Sequence, residues 1–365
     1  MVYKAIGLMS GSSLDGLDIA YVHFHETAGK WTYEILKADC VPYSKLWTDK
    51  LSNAVNLPAS GYQLLHSEYG AYTGAAVNKF IEDNGLEHQV DLIASHGHTT
   101  FHMPGQKMTA QLGDGAAIAA TTGLPVVSDL RAMDIAFGGQ GAPIVPIGEK
   151  LLLYDYDMFL NLGGIANLSF NQAGQYIAFD VCPANRVLNM LVATTGKAYD
   201  DEGKMAATGS VNSNLLNQLN ELSYYQQPFP KSLANDFGTA TVYPILQQYQ
   251  LSTADGLRTY VEHIAIQIKN AVQSVIAGEP ANNAKLLVTG GGAFNSFMVH
   301  QINLLLQETG MTAVVPDKQL VNYKEALVMA LIGVLRWREE YNVLASVTGA
   351  ARNSINGALW LGGEA

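Results

Sequence analysis

KAIGLMSGSSLDGLDIAYVHF, residues 4–24, and MFLNLGGIANLSFN, residues 158–171, decide how this chain folds. Each is a short apolar run of strand length, a glycine turn and a second apolar run. In the first copy, strands 4–9 and 17–24 flank the turn SGSSLDG (10–16); in the second, 158–164 runs through its glycines into 165–171. The two copies continue alike. After the first come an extended TYEILKADCVPY from Thr32, a helical pattern over about 62–84 (apolar Leu64, Leu65, Tyr69, Tyr72, Ala76 and Phe80) and a buried-type strand VDLIAS at 90–95. After the second come a strand at 175–181, a helix start RVLNMLVATTG, and a helix over about 254–277 that Gly278 and Pro280 stop. Strand 285–290, helix FNSFMVHQINLLLQ, strand MTAVVP and helix KEALVMALIGVLRW complete the copy. Two β-β-β-α-β-α halves are implied.

Composition narrows the partners. The 365 residues carry 21 Lys+Arg against 32 Asp+Glu, a net charge of −11, whereas nucleic-acid affinity needs clustered cations. Only 15% are charged and 48% are apolar, which excludes a disordered chain. Cys40 and Cys182 are too few for a disulfide framework, and no apolar run approaches the length of a membrane span. The expectation is a cytoplasmic protein in a reducing compartment, with no nucleic-acid or membrane partner. Length favours two domains: 1–128, joined by about 346–365, and 129–345.

Three turns and a few polar side chains are candidates for chemistry. Gly11, Ser12, Ser13, Asp15 and Gly16 form a turn whose backbone N–H groups and hydroxyls can cradle phosphate, though it lacks the ending of a Walker A loop. Turns at Gly163-Gly164 and Gly290-Gly291-Gly292 occupy matching places. SHGHTTFH (95–102) follows a buried strand; His96 and His98 are candidates for substrate contacts, with zinc ligation and plain loop residues as alternatives. Carboxylates cluster near strand ends, namely Asp15, Asp18, Asp114, Asp129, Asp134 and Asp180, with Glu325 at a helix start. Asp180, after the apolar run YIAF, is placed to act as a general base or as a cap. Arg131 is read either as an anion grip or as the ion-pair partner of Asp129 or Asp134.

The chain resembles the anhydro-N-acetylmuramic acid kinases over nearly its whole length. GLMSGSSLDGLD (7–18), SHGHTTFH (95–102), QLGDGAAIA (111–119), LPVVSDLRAMDIAFGGQGAPIVP (124–146) and LNLGGIANLS (160–169) carry the likeness. FDVCPANRVLN (179–189), PKS (230–232), VTGGGAFN (288–295), Glu325-Ala326 and SVTGA (346–350) continue it. The resemblance implies an α/β fold of two actin-like (ribonuclease H-like) domains related by internal duplication, with a nucleotide cleft between them.

It further implies that ATP and water convert a cell-wall amino sugar, 1,6-anhydro-N-acetylmuramic acid, into its opened 6-phosphate, with Asp180 as the catalytic base. Gly11, Ser12, Ser13, Asp15, Gly16, Asp18, Gly163, Gly164, Gly290, Gly291, Gly292 and Asn295 are then expected at the nucleotide, and His96, His98, Arg131 and Glu325 at the sugar. Mg²⁺ is expected mainly through the phosphates, with Asp15 a candidate contact; a homodimer stays open. GSS for GTS, HGHT for HGQT, FDVCP for FDTGP and LANDFG for a GRE-like stretch are departures that put the detailed contacts in doubt. Another sugar kinase of the superfamily, a nucleotide-dependent binding module and a metal hydrolase are the alternatives.

Overall fold

A computed structural model describes residues 1–234, 236–276 and 283–363. The chain divides into two compact units, Met1–Tyr154 with Tyr323–Ala365, and Asp155–Asn322. The first holds β1 (Val2–Ser10), β2 (Gly16–Thr27), β3 (Lys30–Pro42), β4 (Leu92–Met103), β5 (Met108–Leu112), β6 (Val126–Ser128) and, late in the sequence, a last strand Ala358–Trp360. The second holds β7 (Met158–Leu162), β8 (Ile165–Gln172), β9 (Gln175–Pro183), β10 (Ala284–Thr289) and β11 (Met311–Val314).

Strand order is β3-β2-β1-β4-β6 in one unit and β9-β8-β7-β10-β11 in the other. In both, the first two pairings are antiparallel and the last two parallel. That shared topology is the ribonuclease H-like duplication. β12 (Ala358–Trp360) adds an antiparallel edge to β6, and β5 folds back on β4.

Each sheet is covered by helices, and glycine sets how close they come. In the first unit Ile6, Leu8, Ile19 and Ile93 pack against Val77 and Phe80 of the helix Ala59–Asn84. The helix Lys318–Trp337 comes close enough to β1 that a Cβ on Gly7 would lie 1.8 Å from the Ala326 carbonyl oxygen, and one on Gly333 would lie 2.5 Å from the Ala94 Cβ. In the second unit the helix Thr253–Val275 sets Leu257, Val261, Ile264 and Ile268 against Leu160, Leu168 and Leu286. Ser252 caps that helix through its hydroxyl at the Asp255 N–H; the stop assigned to Gly278 and Pro280 lies outside the described residues.

Three expectations need correction. Residues 129–154 and 323–345 belong to the first unit, because the helix Lys318–Trp337 buries its run from Ala326 to Leu335 on that unit's sheet. The strand expected to end at 95 continues to Met103, so His96 and His98 are strand residues and not loop residues. The short strands β5, β6 and β12 have no counterpart in the sequence pattern. Among the described residues, no helix is long and apolar enough to cross a membrane.

Candidate active site

In the first unit, functional side chains gather at the ends of β1, β2 and β4. Ser10 closes β1 and is buried; its hydroxyl accepts from the Tyr43 hydroxyl at 2.7 Å and lies 3.0 Å from His98 Nδ1. Tyr43 in turn meets the Tyr69 hydroxyl. Tyr43 donates to Ser10, whose oxygen can still accept a second bond, so the Ser10–His98 bond runs whichever way the His98 tautomer sets it. Tyr69, Tyr43 and Ser10 thus form a hydrogen-bonded chain that ends on His98 Nδ1. Burial lowers its pKa.

His96 is set the other way round. Arg131 Nε donates to His96 Nε2 at 3.0 Å, so the hydrogen sits on Nδ1, 2.9 Å from the Gly97 carbonyl. Burial, and then the guanidinium, push the His96 pKa down to about 3. The Arg131 Nη groups carry no hydrogen bond among the described residues, and Glu325 is close enough to favour the guanidinium charge. The ion pairs considered for Arg131 do not form. Asp129 accepts from the Ser128 hydroxyl at 3.0 Å, while fully buried Asp134 accepts from the Gly141 N–H at 2.8 Å and the Thr348 hydroxyl at 2.7 Å. Asp134 therefore ties the GGQG loop to the SVTGA segment, a structural role. Glu325 is held by its neighbours: Lys324 makes a buried ion pair with Glu149 at 3.2 Å, and Ala326 sits on Gly7.

The turn after β1 leaves Ser12, Ser13 and Asp15 exposed, their side chains without partners among the described residues. Gly16 is different: a Cβ there would lie 2.5 Å from the Val41 carbonyl oxygen, so it serves packing against β3. Asp18, opposite Cys40 on β3, has its pKa raised to about 6, first by burial and then, against a lowering bond from Cys40, by Glu325 and Asp15. Asp114 is the N-cap of the helix Gly115–Thr122.

In the second unit, two of the three glycine turns come together. The Gly163 and Gly164 carbonyls accept from the N–H groups of Asn185 and Ala184 at 3.1 and 2.8 Å, and Asn185 Nδ2 donates to the Leu162 carbonyl at 2.9 Å. Gly290, with φ +81°, approaches so closely that a Cβ would lie 2.5 Å from Asn161 Oδ1; one on Gly292 would lie 2.7 Å from Leu162 and 3.0 Å from Asn185 Oδ1. Beside them the Thr289 hydroxyl is buried without a hydrogen-bond partner among the described residues. Asn295 instead caps the helix Ser296–Leu306, its Oδ1 accepting from the Met298 N–H at 2.9 Å.

Asp180 lies near the end of β9, opposite Asn167, where a bulge shifts the register. Its Oδ2 accepts from the Leu233 N–H at 2.8 Å and the Ser232 hydroxyl at 3.1 Å, and no bond falls on Oδ1 among the described residues. Its backbone is clamped too, by Lys231 O at 3.0 Å and the Tyr224 hydroxyl at 2.7 Å. Burial raises the carboxyl pKa, and the two bonds on Oδ2 hold it back. The PKS motif thus acquires a role that sequence alone did not give it; Tyr224 and Tyr43 carried no signal, and Tyr69 read only as an apolar position of its helix.

Among the described residues no group of three or more His, Cys, Asp or Glu is arranged to hold a metal. His96 cannot pair with His98 as a zinc ligand in this arrangement, because both its ring nitrogens are engaged, Nδ1 with the Gly97 carbonyl and Nε2 with the Arg131 guanidinium.

A duplicated ribonuclease H-like fold that carries an isolated, clamped carboxylate and glycine turns free of Cβ atoms is that of a phosphotransferase acting on an alcohol group, a sugar kinase. Residues 3–362 match the family "AnmK: Anhydro-N-acetylmuramic acid kinase". An anhydro-N-acetylmuramic acid kinase of Shewanella sediminis is 32% identical over 97% of this chain and 98% of its own; one of Rhodopseudomonas palustris is 34% identical over 83% and 84%. Among solved structures, the activator of the 2-hydroxyisocaproyl-CoA dehydratase from Clostridium difficile with bound ADPNP is 13% identical, covers 92% of this chain and 96% of its own, and has a TM-score of 0.47. The chain belongs to the anhydro-N-acetylmuramic acid kinase family. It is a kinase of amino-sugar metabolism that serves peptidoglycan recycling and uses ATP.

Proposed function

We propose that the acceptor is 1,6-anhydro-N-acetylmuramic acid and that the product is N-acetylmuramic acid 6-phosphate. One observation carries this reading: Asp180 is a carboxylate anchored through one oxygen, with the other left to accept a proton. Oδ1 takes one proton of a water whose oxygen bonds to the anomeric carbon. The bond from that carbon to O6 breaks, and O6 takes the γ-phosphoryl group. A kinase that only phosphorylates a free hydroxyl would need no water at that carbon.

The remaining residues bind and orient. Arg131, through its Nη groups, grips the lactyl carboxylate; His98, through Nε2, makes a polar contact with the sugar, and Glu325 accepts from it. His96 acts through Arg131, whose plane it fixes. The phosphates fit the surfaces free of Cβ atoms at Gly163-Gly164 and Gly290-Gly291-Gly292, where the Thr289 hydroxyl lacks a partner, and the exposed turn Gly11-Ser12-Ser13. ATP supplies the phosphoryl group when bound, accompanied by Mg²⁺ that its phosphates largely hold. Exposed Asp15 on that turn and half-buried Asp18, near the start of β2, are the carboxylates there that can touch the metal.

The test measures ADP release with anhydro-N-acetylmuramic acid, N-acetylmuramic acid and N-acetylglucosamine as separate acceptors. Turnover should be confined to the anhydro sugar, and Asp180→Asn should lower kcat by about 10² to 10⁴ while leaving ATP affinity unchanged. Equal turnover of N-acetylmuramic acid, which has no anhydro bridge, would overturn the reading.

A further inference from the structure

The second unit contains a pocket of about 360 Å³ beside β9. Phe179 and Val181, the two neighbours of Asp180 on β9, both line the pocket. Phe179 stacks on Phe229 with ring centroids 5.3 Å apart and planes within 14°, forming a flat apolar wall. Tyr225 and Ala271 complete the apolar part, and Asn270 offers an amide that carries no hydrogen bond among the described residues. Among the described residues, the one charge in the lining is Lys231. Its Nζ spends a single proton on the Tyr224 carbonyl at 3.1 Å and lies 4.6 Å from that tyrosine's ring. No carboxylate pairs with it among the described residues, and burial lowers its pKa.

A half-buried cation without a counter-ion, set beside a flat aromatic wall, selects for a ligand carrying the missing charge. We propose that this pocket binds a small organic monoanion with a flat, aromatic body, its carboxylate on Lys231 and Asn270 and its ring against Phe179 and Phe229. The size suits a compact metabolite. The binding claim itself is independent of the acceptor sugar.

The probes are 2-naphthoate and its uncharged isostere 2-naphthamide, titrated by calorimetry into the intact protein. 2-Naphthoate should bind saturably at one site, at least tenfold more tightly than the amide. Lys231→Met should abolish that preference, and the affinity should fall as pH rises through the Lys231 pKa. Ala271→Phe, which fills the cavity from the helix Thr253–Val275, should weaken both probes tenfold or more with kcat within twofold of wild type. Should Ala271→Phe prove unstable, Asn270→Phe at the exposed rim gives the same reading. No saturable binding at millimolar probe, unchanged affinity in the filled variant, or displacement by anhydro-N-acetylmuramic acid, which would put the probe at the sugar site, would each overturn the proposal. If the probes bind as expected while the anhydro sugar is not turned over, the pocket stands and the acceptor assignment falls.

Discussion

Removing the Ser232 hydroxyl isolates the protonation of Asp180 from its position. In the wild-type protein Oδ2 receives two bonds, 2.8 Å from the Leu233 N–H and 3.1 Å from Ser232. In Ser232→Ala the backbone bond and both clamps on the Asp180 main chain remain, so the carboxylate stays in place. A bond to an ionised group is worth about 1.5 to 3 kcal/mol when shielded. Ser232 is exposed, so water recovers part of that, leaving about 1 kcal/mol, or about fivefold in the protonation equilibrium. The lost bond favoured the charged form, so its removal raises the carboxyl pKa. A base must be deprotonated to work. The acid limb of the kcat profile should therefore move to higher pH, with rates on that limb about fivefold lower, the plateau above it kept, and the KM for ATP unchanged. Ser232→Thr should restore the limb. The assay is steady-state ADP release across pH with saturating acceptor. A limb that coincides with wild type, or an equal loss at every pH, would refute the reasoning, the latter by showing that Ser232 only shapes the loop.

Arg131→Ala should raise the KM for the acceptor about tenfold to a hundredfold, the worth of a charge-assisted bond, with the KM for ATP unmoved; unchanged acceptor kinetics in a folded variant would remove Arg131 from the sugar. Arg131→Lys should rescue little, since lysine cannot hold His96 Nε2 and present two further donors together. Asp134→Ala leaves the Gly141 N–H and the Thr348 hydroxyl without their acceptor in a fully buried place, so denaturant unfolding should show a loss of about 3 kcal/mol, and a loss below about 1 kcal/mol would contradict the structural role given to it.

Much of this was legible because it is local. The two β-β-β starts announce themselves through apolar alternation broken by glycine, and Asp180 stands out as the polar residue ending a buried run. What was not legible depends on contacts distant in sequence. The helix Lys318–Trp337 reads as the end of the second copy, yet Gly7 and Gly333 provide the space that takes it to the first sheet, and a glycine's missing Cβ cannot be assigned a neighbour from sequence. Arg131 lies close in sequence to Asp129 and Asp134, whereas its bond goes to His96; the nearer carboxylates are taken by Ser128, Gly141 and Thr348. Asn295 and Gly16 sit inside motifs matched to the nucleotide but are occupied by a helix cap and by strand packing, because a motif holds its supports together with its contacts.

The placement of residues 155–322 as one uninterrupted stretch inside the other unit has a consequence for synthesis on the ribosome. That stretch can fold as soon as it emerges. The surrounding unit cannot, since the helix that covers Gly7 and the strand that pairs with β6 are made last. Between Tyr154 and Trp360, the end of the strand that pairs with β6, 360 − 154 = 206 residues must be translated, roughly 10 to 40 s. Throughout that interval Ala5, Ala94 and their neighbours wait with one face uncovered, and β6 keeps an open edge. The short length of β6, three residues, limits what can pair with that edge in the meantime.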